Sequence, residues 1–139
     1  MKLPHKQPAD ILIVDDDADD RYLLDYAIEQ LTLDVTVLTI PDARDALTYL
    51  QTCQRPPSLL ITDLNMPYLT GLELLNLIKQ STNHRMVPVV ILTTSQADED
   101  RERCYRAGAN AYLVKPGRIS ELSGLLQSCI RVWLGSVRS

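Results

Sequence analysis

The sequence has little of several features that mark common classes of protein. Its 14 Lys and Arg residues are outnumbered by 18 Asp and Glu residues, which excludes a basic surface of the kind that binds nucleic acid backbones. No apolar run approaches the roughly 18 residues that span a bilayer, and no apolar segment follows the few cations at the start. We therefore expect a cytoplasmic protein with no membrane insertion and no direct contact with nucleic acid.

Cysteine, glycine and phenylalanine are also scarce. The three cysteines, Cys53, Cys104 and Cys129, lie far apart and form no CxxC or Cys/His cluster, so the sequence predicts free thiols instead of disulfides or a zinc site. No glycine-rich loop follows the first predicted strand, which argues against a P-loop or dinucleotide site. Phenylalanine is absent, so the tyrosines and the single tryptophan must supply the large rings.

The sequence does contain an alternation of short apolar runs with amphipathic segments. Strands are predicted at five apolar runs bounded by turn or charged residues: ILIV (11–14), VTVLTI (35–40), LLIT (59–62), VVIL (89–92) and AYLV (111–114). A helix is predicted after each, and the fourth, QADEDRERCYRAGA (96–109), is charged nearly all round, so it is expected to pack thinly. This order predicts one α/β domain whose parallel sheet is covered on both faces.

Polar side chains follow four of the predicted strands at the point where each strand ends. They are Asp15 and Asp16 after the first strand, Asp63 after the third, Thr93 and Thr94 after the fourth, and Lys115 after the fifth. The carboxyl ends of parallel strands share one edge of the sheet, and ligands bind there. The sequence therefore predicts a functional site built from these residues.

The acidic members of this set need a counter-charge. Two carboxylates about 4 Å apart repel by ~4 kcal/mol at an effective dielectric of 20, so Asp15, Asp16 and Asp63 would either retain protons or bind a cation. Oxygen ligands favour a hard ion such as Mg²⁺, which commonly binds carboxylates together with a phosphate. Lys115 adds a positive charge suited to a phosphoryl group.

The other aspartates of the run from Asp15 to Asp20 have a simpler interpretation. Asp17, Asp19 and Asp20 are predicted to cap the first helix and to occupy its first turn, where acids favour the helix dipole. A calcium loop starting at Asp15 is excluded, because its sixth position would be Asp20 instead of glycine and its twelfth Tyr26 instead of glutamate.

Four motifs together resemble the receiver domain of two-component response regulators. They are IVDDD (13–17), ITDLNMPYLTGLELL (61–75), VVILTTS (89–95) and AGANAYLVKP (107–116), in the order and spacing of that family. The resemblance implies a flavodoxin-like (βα)5 fold, a doubly wound five-stranded parallel sheet with strand order 2-1-3-4-5. It places the receiver domain at residues 8–134, with short tails at 1–7 and 135–139 and no output domain.

The resemblance also implies which residues hold the metal ion and the phosphoryl group. Asp63 matches the phosphoaccepting aspartate. Asp15 and Asp16 match the acidic pair that binds Mg²⁺ together with Asp63 and the backbone carbonyl of Asn65. Lys115 matches the lysine that contacts the phosphoryl group in this family.

The implied function is a phosphorylation-dependent signalling switch. A sensor histidine kinase donates the phosphoryl group, and the chain signals to a downstream protein target or a phosphotransfer protein. Thr93 and Tyr112 match the switch hydroxyl and switch aromatic, which change the surface of the fourth helix, fifth strand and fifth helix. The Lys115–Pro116 bond is expected to be cis. The switch is not an enzyme beyond, at most, slow auto-dephosphorylation.

A finer resemblance concerns the partner kinase. The segments ADDRYLLDYAI (18–28), ILTTS (91–95) and IRVWLGSV (130–137) are similar to stand-alone regulators that partner phytochrome-type histidine kinases, many of which form homodimers. Arg101 and Glu102 depart from the apolar character of the fourth helix in those regulators. Val132, Trp133 and Leu134 are predicted to pack the end of the last helix, with a partner or dimer surface as the alternative.

Two other functions stay open at this stage. A haloacid-dehalogenase-type phosphatase has similar architecture and would use Asp15 as its nucleophile, although that family requires Thr or Val at the position of Asp19. A pseudo-receiver would keep the fold as a binding module without phosphorylation, and the presence of Asp63, Thr93 and Lys115 argues against it.

Overall fold

Strands and helices alternate along the part of the chain that the structure describes, residues 8–135 of a computed structural model. The strands are β1 (Ile11–Val14), β2 (Val37–Ile40), β3 (Leu59–Thr62), β4 (Val89–Thr93) and β5 (Ala111–Val114). The helices are α1 (Ala18–Glu29), α2 (Ala43–Thr52), α3 (Gly71–Gln80), α4 (Asp98–Arg106) and α5 (Ile119–Leu134). β2 begins two residues later than predicted, and the other strands begin where the apolar runs begin.

The sheet is parallel throughout and has the predicted order, β2-β1-β3-β4-β5. Val14 at the end of β1 is level with Thr62 at the end of β3, and the next residue, Asp63, donates its backbone N–H to Val14 at 2.9 Å. At the other side of the sheet, the backbone N–H of Lys115 donates to Thr93 at 2.8 Å. This register brings the polar strand ends to one edge.

Successive strand residues pack on opposite faces, which gives two buried clusters. Leu12 and Val14 pack in the cluster that includes α2 and α3, whereas Ile11 and Ile13 pack in the one that includes α1 and α5. All four are at most 1% exposed. Strands buried on both faces are continuous apolar runs, as the sequence predicted.

Helix α4 and the C-terminal end of α5 differ in how much of their surface is buried. α4 buries a single residue, Cys104, so the prediction of a thinly packed fourth helix is confirmed. Gly108 has a φ of 104° just after this helix, as expected for a glycine C-cap. At the end of α5, Trp133 and Leu134 are half-buried against the α1–α5 cluster, while Val132 is 68% exposed.

Within residues 8–135, none of the helices combines the length and the apolar character that crossing a membrane requires.

Candidate phosphoacceptor and metal site

One ammonium group lies at the centre of the acidic edge of the sheet. Lys115 Nζ donates to Asp20 Oδ2 at 2.7 Å, to Asp15 Oδ2 at 2.8 Å and to Asp63 Oδ2 at 3.1 Å. The Lys115 side chain is 11% exposed. Three carboxylates that would repel one another therefore share a single, largely buried cation.

Asp15 is the most buried of these acids, with a residue exposure of 1%. Its Oδ1 accepts the backbone N–H of Asp17 at 3.0 Å, and its backbone carbonyl accepts Arg21 Nη1 at 2.8 Å. Burial raises the pKa of Asp15, and the hydrogen bonds from Lys115 and Asp17 only partly offset that effect. The position therefore favours a cation that can neutralise the carboxylate.

The pKa of Lys115 shifts the other way from what its burial alone would cause. Burial disfavours the ammonium, but the hydrogen bonds to Asp15 and Asp20 and the charges of Asp15 and Asp63 outweigh that effect, so the pKa of Lys115 is raised. The side chain is thus a permanent cation at neutral pH.

The predicted cis bond between Lys115 and Pro116 is wrong, because no peptide bond within residues 8–135 is cis. The trans form is the intrinsically favoured one before proline, by about 0.5–1 kcal/mol. Lys115 reaches its three carboxylates with the trans bond.

The set of carboxylates differs from the predicted set in one member. Asp15, Asp20 and Asp63 each offer an oxygen within 4.8 Å of the others, whereas Asp16 is exposed. The interpretation of Asp20 as a first-turn residue alone was incomplete: it lies in the first turn of α1, and it also contacts Lys115. Sequence spacing alone does not show this contact, since the direction of the Asp20 side chain depends on where α1 begins.

The Asp17 interpretation is confirmed. Asp17 is the N-cap of α1, and its side chain accepts the backbone N–H groups of Asp19 and Asp20. Because this cap fixes where α1 begins, it also sets the position of Asp20 relative to the strand ends.

Asp63 is held by the loop that follows β3. Its Oδ1 accepts the backbone N–H of Leu64 at 2.7 Å, which leaves Oδ2 facing Lys115. The side chain is 13% exposed. Gly71, at the start of α3, packs so closely that an added Cβ would lie 2.0 Å from the Asp63 carbonyl oxygen. The sequence did not predict this contact, which explains why glycine opens the helix.

The rest of the β3–α3 loop is more open. Asn65 is exposed, two residues beyond Asp63, where the resemblance predicts a backbone ligand. Tyr68 has a φ of 68° and is 78% exposed, and its ring lies under the guanidinium of Arg44, 4.1 Å from the centroid. Arg44 is in turn bound to Asp42, the N-cap of α2. A left-handed tyrosine is uncommon, and nothing in the sequence indicated it.

The switch residues lie beside the acidic edge, linked by Ser95. Thr93 is 1% exposed, and its hydroxyl accepts the backbone N–H of Ser95 at 3.3 Å. The Ser95 hydroxyl donates to Asp100 at 2.5 Å, within the first turn of α4. Thr93 and α4 are therefore connected through one residue.

Tyr112 is turned into the protein. It is 6% exposed, and its hydroxyl donates to the backbone carbonyl of Ser95 at 3.0 Å. Its backbone N–H donates to the hydroxyl of Tyr105 at 3.0 Å, and the guanidinium of Arg101 lies 5.4 Å from its ring centroid. The ring is thus in contact with α4 on one side and the Thr93 loop on the other.

This donor set fits a hard divalent cation. Among residues 8–135 the site offers carboxylate oxygens and no thiolate or imidazole, a composition that favours Mg²⁺ or Mn²⁺ over zinc or copper. Asp15 is buried, and burial disfavours its charged form, so a bound cation would stabilise this carboxylate.

Comparison with known protein families identifies the family of the chain. Residues 11–127 match the family model described as the response regulator receiver domain. Response regulator Rcp1 of Synechocystis sp. is 32% identical over 135 residues, covering 94% of this chain and 92% of that protein. The probable methanogenesis regulatory protein FilR2 of Methanothrix harundinacea is 34% identical over 141 residues, covering 99% and 91%.

Solved structures give the same result. The phosphorylated cyanobacterial phytochrome response regulator RcpA superposes with a TM-score of 0.83 at 28% identity, covering 96% of this chain and all of that one. The Mn²⁺-bound form of Rcp1 superposes with a TM-score of 0.81 at 32% identity, covering 94% and 98%.

Proposed function

The chain belongs to the response regulator receiver domains, and from that premise we propose that it accepts a phosphoryl group on Asp63 from a sensor histidine kinase. The observation that carries the proposal is the contact of Asp63 Oδ2 with Lys115 Nζ at 3.1 Å, beside the buried Asp15. A nucleophilic carboxylate, a permanent cation and an acidic cluster suited to a divalent ion are the parts that phosphoryl transfer needs.

In the proposed transfer, Asp63 Oδ2 attacks the phosphorus of a phosphohistidine in line with the leaving imidazole nitrogen. The P–N bond breaks as the new P–O bond forms, and Lys115 offsets negative charge on the phosphoryl oxygens. Asp15, Asp16, Asp63 and the backbone carbonyl of Asn65 would hold Mg²⁺, which would supply further positive charge. Each of these residue roles is part of the proposal.

The proposed switch begins at Thr93. An acyl phosphate on Asp63 adds close to two negative charges, which attract the Thr93 hydroxyl away from its contact with the Ser95 N–H. Ser95 also accepts Tyr112 and donates to Asp100, so a shift of Ser95 would alter the surface formed by α4, β5 and α5. Hydrolysis of the acyl phosphate restores the unphosphorylated form of the protein. No further enzymatic activity is proposed.

The proposed partners follow from the relatives. The likeness to RcpA, a phytochrome response regulator, and to Rcp1 supports a phytochrome-type histidine kinase as the donor. We further propose a downstream protein target or phosphotransfer protein, and pairing with a second copy of the chain. The cytoplasmic location and the boundaries 8–134, with tails at 1–7 and 135–139 that lie largely outside the described residues, stay predictions from the sequence.

The proposal is tested with a small phosphodonor. We expect acetyl phosphate and Mg²⁺ to add one phosphoryl group to the wild-type chain, detected by intact mass, and a chelator to prevent it. Asp63→Asn should take no label, because the acceptor oxygen is gone. A phosphorylated phytochrome-type kinase should label the same residue faster than acetyl phosphate does.

The same variants separate the alternatives. Label that persists in Asp63→Asn and vanishes in Asp15→Asn would favour a phosphatase with Asp15 as nucleophile. No label from acetyl phosphate or from any candidate kinase would favour a pseudo-receiver. The burial of Asp15 at 1% exposure, with both of its carboxylate oxygens hydrogen-bonded, does not favour it as a nucleophile.

A further inference from the structure

Asp20 has no part in the proposed transfer, yet it makes the shortest contact with Lys115. Its Oδ2 lies 2.7 Å from Lys115 Nζ, against 2.8 Å for Asp15 and 3.1 Å for Asp63. The contact joins the first turn of α1 to the end of β5, across 95 residues of sequence. It is not explained by helix capping, since Asp17 supplies the cap.

These contacts use the full capacity of the ammonium group. A lysine carries three N–H donors, and the structure shows three carboxylate partners within hydrogen-bond distance. The donor that faces Asp63 could pass to a phosphoryl oxygen, but the other two stay engaged. Lys115 can therefore turn fully toward a phosphoryl group only if Asp15 or Asp20 releases it.

The two partners differ in what release would cost them. The Asp15 side chain is 2% exposed, so without Lys115 its charge would be left buried and unpaired. The Asp20 side chain is 34% exposed and can rotate into water. Asp20 is therefore the carboxylate that loses its contact with Lys115.

From this geometry we propose that Asp20 is a positioning residue that holds Lys115 in the unphosphorylated chain and opposes the phosphorylated state. The proposal rests on the proposed function, because it concerns the same transfer to Asp63. The Asp20 oxygen lies within 4.8 Å of an Asp63 oxygen, so a phosphoryl group there meets a like charge as well as competition for Lys115. Asp20 would thus limit how far the equilibrium moves toward the phosphorylated form.

The test compares Asp20→Asn with Asp19→Asn. Asp19 is the neighbouring acid in the first turn of α1, is exposed, and forms no ion pair among those of the described residues. The probe is beryllofluoride, a stable mimic of the phosphoryl group, titrated at saturating Mg²⁺ with amide NMR shifts as the readout. Removing one nearby charge should tighten binding by about five- to tenfold in Asp20→Asn, a change of the size expected for a part-exposed pair.

Asp19→Asn should bind beryllofluoride like the wild type, and Asp20→Glu, which restores the charge, should return most of the difference. If Asp20 had only a structural role, its loss would weaken beryllofluoride binding. A gain in affinity therefore distinguishes a positioning role from a loss of structure. Unchanged or weaker binding in Asp20→Asn overturns the proposal. It is also overturned if Asp20→Asn weakens Mg²⁺ binding, measured without beryllofluoride, by about 10- to 100-fold, the range for loss of a group that supports a metal ligand.

Labelling of the wild type with acetyl phosphate is run beside the titration. If the wild type is labelled and Asp20→Asn behaves like Asp19→Asn, the role of Asp20 fails and the proposed function stands. If the wild type takes no label and binds no beryllofluoride, both fail together.

Discussion

Asp15 is the most buried of the three carboxylates that contact Lys115. It is 1% exposed, and its burial raises the pKa of the carboxyl above its ordinary value. The folded chain therefore binds the Asp15 proton more tightly than the unfolded chain does. Between the ordinary pKa of 3.8 and the raised folded value, stability falls as pH rises.

Asp15→Asn should therefore raise the urea midpoint of unfolding at pH 7.5 in the absence of Mg²⁺, because it removes a buried charge and leaves Lys115 two carboxylate partners. The gain should shrink as the pH falls through and below the ordinary pKa of 3.8, because Asp15 then becomes protonated in both states. Asp16→Asn, at an exposed neighbour, is the control and should show a smaller gain. A lower midpoint for Asp15→Asn at pH 7.5 would contradict this reading of the site.

Whether the sequence could predict the position of a site side chain depended on whether that residue follows a strand or lies in a helix. Asp15, Asp63 and Lys115 follow strands directly, and the carboxyl ends of parallel strands meet at one edge, so their proximity was predictable. Asp20 lies in a helix, where the direction of a side chain depends on the exact start and tilt of α1. Its contact with Lys115 was therefore outside what spacing could show.

At the level of elements, the start of α3 determines where Asp63 can lie. Gly71 allows α3 to approach the backbone that directly follows β3, and it donates its N–H to Leu64 at 2.8 Å. A Cβ at this position would meet the Asp63 carbonyl oxygen at 2.0 Å, a distance that backbone atoms cannot relieve without moving.

Gly71→Ala should destabilise the fold by about 1–3 kcal/mol, the range for overpacking a buried site, and should slow labelling of Asp63. Gly124→Ala is the matched control. Gly124 lies inside α5 with nothing within 4 Å of an added Cβ, so alanine there should stabilise by about 0.5–1 kcal/mol. Urea unfolding checks both changes, and an unchanged midpoint for Gly71→Ala would refute the close approach.

The elements themselves were largely predictable, and the loops between them were not. Apolar runs bounded by turn residues located every strand, and the charged fourth helix was expected to pack thinly, as its single buried residue, Cys104, confirms. The β3–α3 loop contains a tyrosine with a φ of 68° that stacks on Arg44 from the start of α2. Such long-range support for a strained residue has no local sequence signal.

For the whole molecule, the end of α5 exposes apolar surface on the predicted output face, which is formed by α4, β5 and α5. Val132 is 68% exposed beside the half-buried Trp133 and Leu134. We expect beryllofluoride with Mg²⁺ to increase the mass measured by light scattering toward that of two copies, and Val132→Asp to reduce the increase. An unchanged monomer mass with and without the mimic would refute phosphate-dependent pairing.

The most direct measurement locates the phosphoryl group on the chain. The protein is treated with acetyl phosphate and Mg²⁺, the acyl phosphate is reduced with borohydride, which converts a phosphorylated aspartate to homoserine, and the modified peptide is identified by mass spectrometry. Homoserine is expected at position 63 and should disappear when Mg²⁺ is chelated. Homoserine at position 15, or none at any position, would contradict the assignment of Asp63 as the phosphoacceptor.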